Sequence, residues 1–243
     1  MKTIEELSSA IEALTAKIDR LEAARACSNL VGRWLFYLPS CRFEELCSLW
    51  AQHSEGTELE IHGFIYEGIK GVRQYFINEN VSHDDIEARK GLMNVQTYTT
   101  EVMEVAADGK SARATYISPG IETDVYHDRP GFEELVKDLD LYEGKATGRW
   151  AWKKFAFEFI MEDGQWKIWK YRQYALIKTP YERSWTTKLA FPSGAYMQNK
   201  ADRLSDDARW FYSPETSYPD YDPDPPIAYE SYDNIGDVKP FIG

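Results

Sequence analysis

The segment "DGQWKIWKYRQYALIKTPYERSW", residues 163–185, holds the side chains most able to do chemistry. Trp166 and Ile168 alternate as the buried side of a strand should; the next positions on that side are Lys170 and Arg172, followed by Tyr174. Asp163-Gly164 is a two-residue hairpin signal, so register can be counted outward from it. The count sets Met161 against Trp166, Phe159 against Ile168, Phe157 against Lys170, Phe155 against Arg172 and Lys153 against Tyr174. All ten then share one face, apolar near the turn and mixed with cations further out. Such a face suits a ligand pocket, with an apolar floor for rings and a few convergent polar groups. Lys170 and Arg172 would stabilise a phenolate or developing oxyanion, and Tyr174 would donate a proton. The plainer alternative is that both cations snorkel to the domain edge or pair with acids such as Glu101.

Alternation in "TELEIHG" and "FIYEG" puts His62, Phe64 and Tyr66 on one strand face. His62 is the candidate general base, since imidazole titrates near neutrality; a structural histidine is the alternative. His53 and His83 lie in polar turns, and His127 in "DVYHDRPG" belongs to an expected insertion that could act as a lid. Counting from Asp108-Gly109 sets Val105, Met103, Glu101 and Thr99 opposite Ala112, Ala114, Tyr116 and Ser118, so Glu101 and Tyr116 would line the cavity. There Glu101 would serve as base or as counter-ion to Lys170 or Arg172. A bulge in this strand would turn Gln96 inward instead. The histidines are too scattered to nominate a metal site, and no Gly-rich phosphate loop, HExxH or GxSxG occurs. No metal or other cofactor is therefore expected.

The elements that must position these groups follow from patterning. Ile4, Leu7, Ile11, Leu14, Ile18 and Leu21 alternate at spacings of three and four, which reads as helix. The repeat is either a parallel two-stranded coiled coil or a helix packed on its own domain. "ACSNLVGRWLFYL" is a second helix, ending before Pro39, and "RFEELCSLWAQ" a third. Trp34 and Tyr37 on the second helix should border the pocket. Two short strands, the helix "IKGVRQYFINEN" and two long hairpins complete an α+β domain: a cone-shaped, curved antiparallel sheet around helices, with a pocket at the open end. The domain spans 1–178, with an insertion at 120–149 bearing a short helix. Residues 179–243 hold eight of the eleven prolines and read as an extended Tyr/Pro-rich tail, lying on its own domain or on a neighbouring subunit.

Composition narrows the function. A net charge of −12 argues against a nucleic-acid or anionic-membrane partner. Three cysteines without paired metal spacing suit reduced thiols and a cytoplasmic location. The charged N-terminal stretch reads as neither signal peptide nor membrane span.

The stretches "IEELSSAIEALTAKIDRLEAARACSNLVGRW", "FEELCSLWA", "YEGIKGVRQYF", "TTEVMEVAADGKSARATYISPG" and "MEDGQWKIWKYRQYALIKTPYERSW" resemble the SnoaL-like branch of the nuclear transport factor 2-like superfamily. Members of that superfamily include polyketide cyclases, steroid isomerases, bile-acid dehydratases, lyases that remove formaldehyde from lignin-derived diarylpropanes, and members with no known catalysis. The resemblance implies the cone fold, a deep pocket and assembly as dimers or trimers. It also places Tyr66 in the pocket and an Arg at Arg172. The long form with a Tyr/Pro-rich tail looks closest to the formaldehyde-releasing group. The Tyr, Asp and His of the dehydratases do not carry over, because Trp34, Pro39 and Gln96 stand at those places.

These readings lead to an expected cofactor-independent lyase, dehydratase or isomerase acting on a hydrophobic phenolic molecule. Its catalytic candidates are Tyr66, His62, Arg172, Glu101 and Tyr174. Trp34, Tyr37, Gln96, Tyr116, Lys153, Phe155, Phe157 and Lys170 would bind substrate. The alternatives are a non-catalytic carrier of aromatic ligands, or an assembly subunit in which only the helix and tail matter.

Overall fold

The structure is a computed structural model that describes residues 3–78, 80, 83–125, 146–186, 200–205, 212, 214, 215, 217–219 and 223–234. The expected helix of the insertion and His127 lie outside these residues.

The chain opens with one helix, α1 (Ile4–Tyr37), rather than two. No proline interrupts those residues, and the start is fixed by a capping box. Thr3 Oγ1 accepts from the Glu6 N–H at 3.2 Å, while Glu6 accepts from the Thr3 N–H at 2.8 Å. Ala23, Cys27, Leu30, Val31 and Trp34 bury the C-terminal half of α1 in the core, whereas its first turns are exposed. A short α2 (Phe43–Ser48) follows, then strands β1 (Glu58–Ile61) and β2 (Phe64–Glu67), and α3 (Gly68–Arg73), which runs into a π-turn at Gln74–Asn78. After α4 (Ile86–Arg89) come β3 (Met93–Gln96), β4 (Thr99–Val105), β5 (Ser111–Ser118), β6 (Gly120–Val125), β7 (Ala146–Glu162) and β8 (Gln165–Pro180). A two-residue β9 (Arg203–Leu204) closes the order.

These strands form one curved α+β cone of nine strands among the described residues. The long β7 pairs with β6 along its first half and with β5 along its second. Pro119 separates β5 from β6, and on the neighbouring strands Thr100 has φ of 56° beside a register break between Thr99 and Val102. Proline and a bulge stop the ladder from continuing flat, so the sheet bends here. The region expected as an insertion therefore begins with a strand, β6. Among the described residues the strands pair antiparallel except where β1 runs parallel to β8, beside the parallel bridge of Trp50 to Ile168.

The tail returns to its own domain. β9 adds an edge to β2, Ser205 N–H donates to Gly63 O at 2.8 Å, and Asp202 accepts from the Glu67 N–H at 2.8 Å. Further on, Tyr229 meets Ser111 at 3.1 Å between the two hydroxyls, and the Tyr232 ring packs edge-on against Trp169.

Candidate functional site

Near its turn the last hairpin has the register that counting gives: Met161 faces Trp166 and Phe159 faces Ile168. A bulge at Trp169 then intervenes. Beyond it, Phe157 faces Tyr171, Phe155 faces Gln173 and Glu158 faces Lys170. One extra residue moves every following side chain to the other face. Lys170, Arg172 and Tyr174 therefore leave the phenylalanine face on which they were expected.

The convex face accounts for all three. Arg172 Nε pairs with Glu60 at 3.0 Å, and its guanidinium lies 4.8 Å from the Tyr174 ring centroid. Lys170 Nζ donates to the Tyr232 hydroxyl at 2.8 Å. Neither cation pairs with Glu101. Burial pushes the Glu60 carboxyl up to about 7, against the pull of Arg172. Beside these residues the buried Arg113–Glu158 pair spans 2.7 Å. A sequence signal for this arrangement exists in hindsight: Glu58 and Glu60 are two apart, as are Lys170 and Arg172, and the parallel ladder sets them side by side.

The interior face holds a different set. From the closed end it is apolar: Phe159, Phe157 and Phe155 meet Trp34 and Tyr171, whose rings stack with centroids 5.0 Å apart. Tyr66 is fully buried here beside Tyr75, and Tyr37 packs half-buried against the same cluster. Tyr98, between β3 and β4, lays its ring over Phe155 at 4.6 Å.

Past Phe155 the interior turns polar. Lys153 donates to Glu122 Oε1 at 2.8 Å; Lys178 and Arg149 approach Glu122 Oε2 at 3.0 and 3.3 Å. Gln96 completes the ring, accepting from Ser118 Oγ at 3.0 Å and donating to Glu122 at 3.3 Å. Gln96 is thus turned inward, the outcome that a bulge in its strand implied. Gly120 makes room for it, since a Cβ there would fall 2.3 Å from Gln96 Oε1. Burial would raise the Glu122 carboxyl, but Lys153, Lys178 and Arg149 outweigh it and hold it well below the usual carboxylate range.

His62 joins this cluster from a turn rather than from a strand. His62 and Gly63, with φ of 53° and 78°, form the two-residue connection between β1 and β2. Its ring lies 3.1 Å from Gln173 Nε2. Burial, helped by the nearby Lys178 and Lys153 ammonium groups, lowers the imidazole well below its ordinary 6.5. His62 is therefore neutral at neutral pH.

Glu101 and Tyr116 form a second polar pair. Tyr116 Oη donates to Glu101, which also accepts from Ser28 Oγ of α1 at 3.1 Å. Burial raises the Tyr116 phenol, and the Glu101 carboxylate raises it further. Glu101 itself is exposed, at the α1 side of β4.

Sequence reasoning thus brought Lys153, Phe155, Phe157, Tyr116, Gln96 and His62 to the interior side of the sheet or its rim, but missed Glu122, Arg149, Lys178 and Gln173. The first two lie in the region read as an insertion, and Gln173 sits between Arg172 and Tyr174, where alternation drew attention to its neighbours. Among the described residues no group of three or more His, Cys, Asp or Glu is arranged to hold a metal ion. No helix among them is long and apolar enough to cross a membrane.

A curved, unclosed sheet wrapped on helices, with a polar cluster beyond an aromatic floor, defines the cone-fold class. The SnoaL-like domain family matches residues 19–172, and the chain belongs to that family. Among solved structures, LinA is 19% identical over 70% of this chain and 96% of its own, with a TM-score of 0.50. The LinA-type3 hexachlorocyclohexane dehydrochlorinase of Novosphingobium barchaimii LL02 is 17% identical over 69% and 96%, with a TM-score of 0.48. A candidate scytalone dehydratase of Novosphingobium aromaticivorans DSM 12444 is 14% identical over 68% and 91%, with a TM-score of 0.47. At these identities the likeness concerns the fold. No curated protein matches the sequence.

Proposed function

We propose that this chain is a cofactor-independent lyase, dehydratase or isomerase acting on a hydrophobic phenolic small molecule. The observation that carries this reading is the buried cluster of Glu122, Lys153, Lys178 and Arg149, set where the Phe155–Tyr171 floor ends and beside neutral His62. A ring resting on that floor would direct its phenolic oxygen toward Lys153. Buried cations stabilise such an oxyanion far better than water-exposed ones do. His62 would take the proton that the reaction releases, with Gln173 fixing the ring by hydrogen bonding. Tyr116, paired with Glu101, would supply a proton to a leaving hydroxyl.

The sharpest form is a deformylating lyase on a lignin-derived diarylpropane. The phenolate expels the protonated benzylic hydroxyl as water, leaving a quinone methide. Removal of the proton from a neighbouring hydroxymethyl then breaks the carbon–carbon bond, releases formaldehyde and returns the electron pair to the phenolate. The resemblance to formaldehyde-releasing members supports this form. The free thiols of Cys27, Cys41 and Cys47 and the acidic composition support a reducing, cytoplasmic setting without a nucleic-acid partner.

A ligand-carrier reading is favoured by one observation. Trp34 stands where dehydratases of this fold have a catalytic residue, and it is fully buried among Trp50, Phe76, Phe157 and Tyr171. Tryptophan fluorescence titration with phenolic dimers, steroids and polyketide-like aromatics, followed by mass spectrometry of each bound compound, separates the two. Loss of water or formaldehyde from a bound compound, abolished in Lys153→Met and His62→Gln, supports the enzyme. Binding without transformation of any compound sinks it and leaves the carrier.

A further inference from the structure

The two halves of α1 have different fates. From Ala23 onward the helix buries its apolar residues in the domain. Ahead of that point Ile4, Ile11 and Leu21 are 87, 63 and 72% exposed, and Leu7, Leu14 and Ile18 at least half so. Six aliphatic side chains on one stripe of a helix leave a continuous apolar seam in water, which is unfavourable. In proteins most helix stability comes from packing an apolar face, which this stretch does not do within its own domain. Most of the seam also precedes the family domain, which starts at residue 19. Among the described residues the tail leaves this seam bare, since Tyr229 and Tyr232 pack instead at Ser111 and Trp169 of the sheet.

We propose that a second copy of this chain covers the seam, with the two α1 helices in a parallel, in-register coiled coil. Three observations select that occupant. Isoleucine occupies one seam position (4, 11, 18) and leucine the other (7, 14, 21), the combination that favours two parallel strands. In register, each flanking residue meets the flanking residue five positions on in its partner, which brings Lys17 opposite Glu22 of the second copy, twice by symmetry. Ala10 then faces Thr15, and no like charges meet. Finally, a shallow groove lined by Ile18, Leu21, Glu22, Arg25, Ala26 and Asn29 carries the seam on toward the domain. Both domains thus hang from one end of the paired helix.

Sedimentation velocity of the full chain tests this directly. A dimer is expected, and Ile11→Asp/Leu14→Asp should sediment as a monomer while the domain keeps its thermal unfolding midpoint. A monomeric wild type overturns the proposal, as does a dimer that survives the double substitution. Should that variant not fold, charge reversal serves instead. Lys17→Glu should weaken dimerisation about tenfold and Lys17→Glu/Glu22→Lys should restore it; an unweakened single variant, or a double variant that stays weak, refutes the pairing. Leu7→Cys should form an oxidised, disulfide-linked dimer absent from the wild type, and failure to do so refutes the parallel arrangement.

Discussion

Replacing Glu162 with glutamine should remove one of the stronger fastenings of the sheet to the loop that precedes β1. Glu162 ends β7, and it accepts from the backbone N–H groups of Gln52, His53 and Ser54 at 2.7, 2.9 and 2.8 Å, and from Ser54 Oγ at 2.8 Å. Burial opposes its charge, yet these four bonds win and draw the carboxyl from its ordinary 4.5 to about 2. The residue is only 8% exposed, so solvent screens the effect little. A shift of that size corresponds to about 3 kcal/mol of folding stability at neutral pH. The folded value is depressed, so this contribution is complete above 4.5 and disappears as pH falls toward 2. Glutamine can accept from one N–H but turns its own amide donors toward the others. For a chain of this size the loss amounts to about 10 °C in unfolding midpoint. Thermal unfolding by circular dichroism across this pH range checks it. The wild-type and Glu162→Gln midpoints should differ at neutral pH and converge in acid. A difference that stays constant with pH would refute the reasoning, because it would locate the effect in packing rather than in charge.

Further expectations follow from the faces of the sheet. Arg172→Ala should leave ligand binding unchanged but lower stability by roughly 3 kcal/mol or more, because it strands Glu60 in the convex layer; paired titration and denaturation experiments measure both. Gly120→Ala should cost little stability, since only the flexible end of Gln96 must move, yet it should alter turnover or ligand affinity by breaking the Gln96 bonds to Ser118 and Glu122. Any activity that needs neutral His62 should hold constant through neutrality and past the ordinary 6.5, falling only at lower pH. A rate that drops already near 6.5 would contradict the environment described for this ring.

Much of the fold was legible because its strongest signals are local. The Asp108-Gly109 and Asp163-Gly164 turns set both long hairpins, and counting from them is right for Val105/Ala112, Met103/Ala114, Met161/Trp166 and Phe159/Ile168. The count fails where a bulge intervenes, at Trp169 and again after Thr99. A bulge leaves no fixed residue signature, and a single one reverses the meaning of alternation for the rest of the strand. That is why Lys170 and Arg172 resembled pocket residues while Tyr171 and Gln173 did not. The cluster around Glu122 was hidden for another reason: it joins β6 to the early part of β7 and the end of β8, a long-range pairing that no short window of sequence encodes. His62 reaches the Gln173 side chain as a turn residue of positive φ rather than as the strand residue that alternation implied.

The parallel pairing of β1 with β8 also bears on how this chain is made. Glu58 to Ile61 find their partners at Lys170 to Gln173, across most of the domain's length, and Leu59 and Ile61 stay without that neighbour until β8 exists. During synthesis the N-terminal helices, β1 and β2 must wait on the ribosome with an open strand edge while β3 through β7 emerge. The cone can close only once Pro180 has left the exit tunnel. Folding should therefore be gated by the emergence of β8, and the nascent chain before that point is the form most exposed to aggregation.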